Sequence, residues 1–224
     1  MQPPHCNAFE WEGLFEQGAI PVFLIRHGQT SWNKERRFLG RSDVPLDEDG
    51  HAQAGLLTDA LRAIPLEAVY SSPLARAWAT AVRLAAPHGL KPGALPGVTE
   101  LDQGELEGMK GADLPDRYPD FYQAWRTDPT HVRVPGGETL AECQARAVSS
   151  VLSTLSQRNT RGPIAIVSHK VAISGVLCDT IGLPPRFNMM IGQKNTAINL
   201  LSYKDGQLQL HRLNEATHLG SWSG

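Results

Sequence analysis

The sequence predicts an α/β domain, with a mainly parallel sheet and helices on both of its faces. Two observations carry this. Pro21-Val22-Phe23-Leu24-Ile25 and Ile164-Ala165-Ile166-Val167 are continuous apolar runs, the first preceded by Gly18 and the second by Gly162-Pro163. Such uninterrupted runs suit strands buried on both faces, as in parallel sheets covered by helices. Helical patterns alternate with these runs along the chain, and that alternation marks an α/β architecture.

The elements follow in order. Residues 1–18 mix Pro, Asn, Glu and aromatics and read as a loose lead-in, with Phe9, Trp11 and Phe15 placed to dock it. Residues 19–224 form one domain, because the length suits one sizeable core. Asp47 can N-cap a helix whose Leu57, Ala60, Leu61 and Ile64 follow the 3.6 period, with Pro65 stopping it. Glu67-Ala68-Val69-Tyr70 is a shorter strand. Pro73 suits a first helical turn, and the Ala-rich residues 74–86 continue it as far as Pro87. Leu140, Cys143, Ala147, Val151, Leu152 and Leu155 make one stripe on a long helix after Gly136-Gly137. Residues 171–181 form a further helix, closed off by Pro184-Pro185. Residues 197–203 and 207–213 flank Lys204-Asp205-Gly206, a hairpin with an Asp-Gly turn.

Composition narrows the function. The chain has 224 residues, 41% apolar and 20% charged, which excludes disorder for most of its length. Lys and Arg number 21 against 23 Asp and Glu, so no broad basic face for nucleic acid is expected. A small cationic pocket is still allowed, because a few arginines vanish into such a total. Cys6, Cys143 and Cys178 are widely spaced and include no CxxC pair, which predicts neither a zinc site nor a disulfide framework. The lead-in lacks a signal-peptide pattern, and the apolar stretch at residues 19–25 is too short to span a bilayer. A soluble, cytoplasmic protein in a reducing compartment is expected.

Ligands of open α/β sheets bind beyond the carboxyl ends of the strands. The residues there are Arg26-His27-Gly28-Gln29-Thr30, then Ser71-Ser72-Pro73-Leu74-Ala75-Arg76, then Ser168-His169-Lys170. A single histidine after a strand is usually structural, and a single arginine on a helix is usually solvated. Two histidines and two arginines at one sheet edge form a constellation suited to phosphoryl transfer. Neutral imidazole is a competent nucleophile near pH 7. Guanidinium matches phosphate oxygens bidentately and stabilises the charge of the transition state. Backbone amides opening the helices after Gly28 and His169 are candidate anion donors. With no carboxylate cluster beside them, a metal-independent route without a cofactor is expected.

These residues resemble the histidine phosphatase superfamily, the phosphoglycerate-mutase-like enzymes, over about residues 21–213. Arg26-His27-Gly28-Gln29-Thr30 with Trp32-Asn33 is similar to the family's nucleophile signature. Ser71-Ser72-Pro73-Leu74-Ala75-Arg76-Ala77 with Thr80-Ala81 is similar to its second arginine motif, and Thr99-Glu100-Leu101 with Gly104 and Glu107-Gly108 to its acid-bearing loop. Pro135-Gly136-Gly137-Glu138-Thr139 and Ser168-His169 complete the order. The resemblance implies a three-layer α/β/α sandwich with a small helical cap over residues 102–135. It implies His27 as the phosphorylated nucleophile, with Arg26, Arg76 and His169 binding the phosphoryl group. Glu100 would protonate the leaving oxygen and then activate water, acting as an acid chiefly once a phosphate dianion is bound. Asn33 and the amide of Gly40 would help to bind phosphate or substrate.

Two regions add detail. Many members of the family carry glycine directly after the second histidine, whereas Lys170-Val171 stands here. Lys170 either contacts substrate or turns to solvent; its charge is unfavourable at a helix N-terminus, which tilts it towards an anionic neighbour. In the cap, Phe121, Tyr122 and Trp125 are expected to be cap core. Lys110, Arg117, Arg126, His131 and Arg133 are offset there by Asp102, Glu105, Glu107, Asp113, Asp116, Asp120 and Asp128, so a strongly polyanionic substrate is disfavoured.

The leading reading is a phosphatase of a small phosphomonoester. A phosphoglycerate mutase is the alternative, and a non-catalytic phosphate-binding scaffold a third. Glu100-Leu101-Asp102-Gln103-Gly104 stands where cofactor-dependent mutases would show Glu-Arg-His-Tyr-Gly, which favours hydrolysis. The expected partner is a small phosphorylated metabolite, with no nucleic acid and no membrane; a homodimer stays open. Phosphosugars, phosphoglycerate, phosphoserine and nucleotide-precursor phosphates all remain candidates, since the fold does not choose among them.

Overall fold

A computed structural model describes residue 11 and residues 13–220. Phe9 and Cys6 lie outside the described residues. Six strands, β1 (Ile20–Arg26), β2 (Ala68–Ser71), β3 (Gly93–Ala94), β4 (Ile164–Ser168), β5 (Ile198–Lys204) and β6 (Gln207–Glu215), form one sheet in the order β3-β2-β4-β1-β5-β6. Among the described residues, seven α-helices accompany them: α1 (Ser31–Lys34), α2 (Glu48–Leu61), α3 (Ala75–Ala85), α4 (Leu114–Arg117), α5 (Pro119–Thr127), α6 (Leu140–Ser156) and α7 (Lys170–Thr180). Among the described residues, no helix is long and apolar enough to cross a membrane.

The apolar runs behave as the sequence predicts. Along β1, Ile20, Val22 and Leu24 join one core cluster while Phe23 and Ile25 join another. In β4, Ile164 and Ile166 take the first side and Ala165 and Val167 the second. The period of two thus sends apolar side chains to both faces. The stripe of α6 and the apolar residues of α7 close the first core, whereas α2 and α3 close the second through Leu57, Leu61, Ala77, Ala81 and Leu84. Three layers result. Trp11 and Phe15 lean on the second core, with the Trp11 ring centroid 6.4 Å from that of Phe23.

Local chemistry sets the boundaries. Asp47 caps α2 by accepting from the Gly50 N–H at 2.7 Å. Thr139 and Glu142 close a reciprocal capping box at the start of α6. The turn of the β5–β6 hairpin places Asp205 and Gly206 at φ of 51° and 84°, the two left-handed residues that a type I′ turn requires.

Three details differ from expectation. Helix α2 ends at Leu61, so Ile64 is buried in the following turn, where its N–H bonds to Leu61 O, rather than on the helix. Helix α3 begins at Ala75 with Leu74 as N-cap, which leaves Pro73 just before it. Strand β5 runs antiparallel to β1, and the two-residue β3 extends the far edge beside Tyr70 and Ser71. A Gly-Ala dipeptide carries no strand signal of its own.

Residues 102–135 contain α4 and α5 and share the first core rather than forming a separate one. Leu106, Met109, Leu114 and Val134 are buried in it, and Phe121, Tyr122 and Trp125 pack against it half-buried. Because Leu24 lies in the middle of this core and is 1% exposed, Leu24→Ala is expected to cost about 3 kcal/mol of stability. Urea unfolding at pH 7 measures this as a lowered midpoint with an unchanged slope.

Candidate active site

The parallel ladder brings three strand ends together. Arg26 pairs with Ser168 in register, the His27 N–H donates to Ser168 O at 3.0 Å, and the Ser72 N–H donates to Val167 O at 3.0 Å. His27, Ser72 and His169 each stand one residue beyond their strands, and the two imidazole centroids are 5.1 Å apart. His27, Arg76, Glu100 and His169 are all buried. The constellation predicted from the sequence is therefore one cluster.

Hydrogen bonds choose the state of each imidazole. His27 Nδ1 lies 2.6 Å from Gly28 O. A carbonyl can only accept, so Nδ1 carries the hydrogen and Nε2 keeps its lone pair. Burial, reinforced by Arg76 and Arg26, holds His27 well below the usual histidine range against the pull of the Gly28 carbonyl. The ring is therefore neutral at pH 7. His169 is lowered in the same way, by burial first and then by Arg76, His27, Arg26 and Arg146. Its Nε2 is 2.7 Å from Ser72 Oγ, which also accepts from the Leu74 N–H at 3.3 Å. The Ser72 hydroxyl has its own proton to give to Nε2, which leaves Nδ1 as a buried N–H with no protein acceptor.

The arginines are held by carbonyls. Arg76 donates through Nη1 to Ser42 O at 2.8 Å and through Nη2 to Gly40 O at 2.7 Å. Arg26 donates through Nη1 to Gln193 O at 2.6 Å. Neither has a carboxylate within ion-pair distance among the described residues. Burial lowers both, with Arg26 reaching about 10, so both remain cationic at pH 7. Arg26 Nε and Arg76 Nε, like His169 Nδ1, are buried donors without a partner. Buried polar groups are normally satisfied, and three such donors in one cluster describe an anion site.

Glu100 reaches the cluster from the following loop. Its carboxylate accepts from the N–H groups of Leu101 at 2.8 Å, Val171 at 3.1 Å and Ala172 at 3.3 Å. The helix opening after His169, expected to offer amides to a ligand, thus already holds an anion: the carboxylate of Glu100. Amides after His27 are taken as well, Gly28 N–H by Thr80 Oγ1 and Gln29 N–H by Gln53 Oε1.

Arg146 fixes the loop that carries Glu100. Its Nη1 donates to Gly97 O and Thr99 O at 2.9 and 2.7 Å, and its Nη2 donates to Glu100 O at 2.7 Å. Arg146 also grips Glu138 through Nε and Nη2 at 2.9 and 2.8 Å, and Glu138 accepts the Asp102 N–H at 3.0 Å. Burial pushes the Glu138 carboxyl up, but Arg146 and the Asp102 N–H outweigh it and leave it below its usual value. The backbone is therefore clamped on both sides of Glu100.

Other expected site residues fall into distinct places. Asn33 Oδ1 accepts from Thr30 and from Asn195, and Asn33 lines a cavity of about 300 Å³ with Arg26, Gln53, Gln193, Lys194 and Asn195. Gly40 supplies its carbonyl to Arg76, while its N–H donates to no protein group among the described residues. At φ of 51°, with the Glu107 carboxylate where a Cβ would fall, the position favours glycine. Lys170 opens α7 beside His169 and is half-buried.

Sequence reasoning missed Ser72, Gln193, Asn195 and Arg146 as parts of the site. Gln193 acts through its backbone, and the Asn195 side chain donates to His27 O at 3.1 Å from a distant loop. Only the Gly136-Gly137-Glu138 signature pointed towards the clamp.

Fold and site together define a phosphate-handling α/β enzyme. A family model described as the histidine phosphatase superfamily (branch 1) matches residues 22–216, and the chain belongs to that superfamily. It is 29% identical over 203 residues to phosphoserine phosphatase 1 of Hydrogenobacter thermophilus, covering 91% of this chain and 96% of that one. It is 30% identical over 188 residues to a Salmonella choleraesuis (strain SC-B67) protein named "Probable phosphoglycerate mutase GpmB", covering 84% and 87%. A solved mycobacterial glucosyl-3-phosphoglycerate phosphatase, in complex with VO3, superposes with a TM-score of 0.79 at 27% identity, covering 88% of this chain and all of that one. These relatives place the chain among enzymes of phosphoric monoester chemistry, in agreement with the motifs.

Keeping two histidines neutral has a consequence for stability. The unfolded chain binds their protons near pH 6.5, but the folded chain does so only at lower pH. Stability from this source is complete above about pH 6.5 and falls with decreasing pH, by up to about 2.7 kcal/mol per pH unit for the pair. Urea unfolding at pH 7.0 and 5.5 without phosphate should show this loss, and a His27→Asn, His169→Asn double variant should show a shallower one.

Proposed function

We propose that the protein is a metal-independent phosphatase of a small phosphomonoester, working through a phosphohistidine on His27. The observation that carries this reading is His27 itself: a buried neutral imidazole with Nδ1–H tied to Gly28 O, set among Arg26, Arg76 and His169. Nε2 attacks phosphorus, the bond to the leaving oxygen breaks, and Glu100 gives that oxygen its proton. A water then attacks the phosphohistidine, Glu100 takes the proton from it, and the N–P bond breaks to release inorganic phosphate. Arg26, Arg76 and the Nδ1–H of His169 hold the phosphoryl oxygens throughout, their fixed dipoles and charges aimed at the developing charge. Asn33 and the N–H of Gly40 assist at the edge of this site.

Hydrolysis is favoured over mutase chemistry by the loop Glu100-Leu101-Asp102-Gln103-Gly104, although one relative is named a mutase. Two of the relatives named above are phosphatases whose names specify phosphoserine or glucosyl-3-phosphoglycerate. Both of these substrates, like phosphoglycerate, carry a carboxylate near the phosphoester. Free, buried Cys143 and Cys178 suit a reducing, cytoplasmic setting.

Release of inorganic phosphate from p-nitrophenyl phosphate in the presence of EDTA tests the reading. The His27→Ala variant should lose turnover by about 10³-fold or more and should form no acid-labile phosphoprotein. Normal turnover in that variant would remove the nucleophile assignment, while primer-stimulated interconversion of phosphoglycerates would favour the mutase. The clamp on Glu100 gives a second test. Arg146→Lys should lower kcat/KM on an alkyl phosphate by about tenfold or more, and kcat/KM on p-nitrophenyl phosphate much less, because this ratio reports formation of the phosphohistidine and nitrophenolate leaves without a proton.

A further inference from the structure

We infer that Lys170 is a specificity-determining residue that binds a carboxylate on the substrate, so that the enzyme prefers phosphomonoesters of small carboxylic acids. This rests on the phosphatase reading above and adds the class of substrate.

Lys170 stands between His169, whose ring faces His27, and Val171, whose N–H holds Glu100. It is half-buried, and its ammonium has no hydrogen bond or ion pair among the described residues. Of the other cations near the site, Arg41 bonds to Asp102 and Glu138, Arg146 bonds to Glu138, and Lys194, which lines the cavity beside Arg26, is exposed to solvent. Asp43 and Glu107 lie on the Arg76 side, Asp43 accepting the Ala75 N–H and Glu107 accepting from Arg41 N–H and Ser42 Oγ. Lys170 responds instead to Arg26 and Glu100, and burial followed by Arg26 lowers it while Glu100 raises it.

The charges decide what it awaits. A phosphate dianion lies against Arg26 and Arg76, and Asp43 and Glu107 act on Arg76 rather than on Lys170. Glu100 must carry its proton in the complex that expels the leaving group, so it offers Lys170 no charge at that moment. One ammonium is left over in partly desolvated surroundings, where an unpaired charge is costly. A single carboxylate on the substrate completes the balance. A second phosphate would overshoot it, in line with the acidic residues of the cap.

Matched pairs that differ by the carboxylate test this: phosphoserine against phosphoethanolamine, and 3-phosphoglycerate against glycerol 3-phosphate. A charge-assisted hydrogen bond predicts that kcat/KM favours the carboxylated member by about 10-fold to 100-fold in the wild type. Lys170→Met should bring that ratio to within about twofold, mainly through KM, and Lys170→Arg should retain most of it. A wild-type ratio near one, turnover of neither pair, or a full ratio in Lys170→Met would each overturn the proposal. Since the wild-type ratio needs no variant, misfolding of Lys170→Met would not protect it. Hydrolysis of p-nitrophenyl phosphate separates the two failures: its absence in the wild type sinks the phosphatase reading, whereas its presence without a carboxylate preference sinks only the role of Lys170.

Discussion

Two guanidinium groups and two imidazoles share one small volume with no carboxylate in ion-pair contact with either guanidinium among the described residues, and the rest of the structure is arranged around that constraint. Like charges at such spacing repel, and low polarity strengthens the repulsion. Main-chain carbonyls make the arrangement tolerable. Those of Gly40, Ser42 and Gln193 hold the guanidiniums, and that of Gly28 holds the His27 ring. Carbonyls contribute partial charge without a countercharge, so the cluster keeps its attraction for an anion. Carboxylates in their place would have neutralised it.

Glu100 follows the same logic in reverse. A carboxylate next to arginines would be drawn into an ion pair with them. Instead it rests on the N–H groups of Val171 and Ala172, at the positive end of α7. Its main chain is tied by Arg146 and Glu138, residues that never need to touch substrate. The long helix α6 therefore has two tasks: one face fills the first core, and Arg146 sets the position of the acid loop from another.

Much of this was legible in the sequence, for physical reasons. Strands buried on both faces leave no polar alternation, so β1 and β4 stood out, and the side-by-side ends of parallel strands brought Arg26, His27, Arg76 and His169 together. The capping of α2 by Asp47 and the Asp-Gly hairpin follow from local chemistry alone. What escaped depends on partners distant in sequence. The direction of β5 is set by the sheet it joins, and β3 exists only because Tyr70 and Ser71 offer it an edge. Carbonyl anchors are invisible because every residue has one. The amides of α7 looked free, and only the path of a loop 70 residues upstream filled them with Glu100.

The two-sided burial of β1 also has an evolutionary meaning. His27 and Arg26 extend from a strand that feeds both cores, where any backbone shift disturbs both at once. Chemistry carried there has little room to drift. Residues 102–135 and the loop at residues 192–196 meet fewer such demands, since only part of each is buried. Mutational change can therefore rework what the enzyme admits while the reacting atoms keep their places. A lineage built this way would diversify by its rim and inherit its centre.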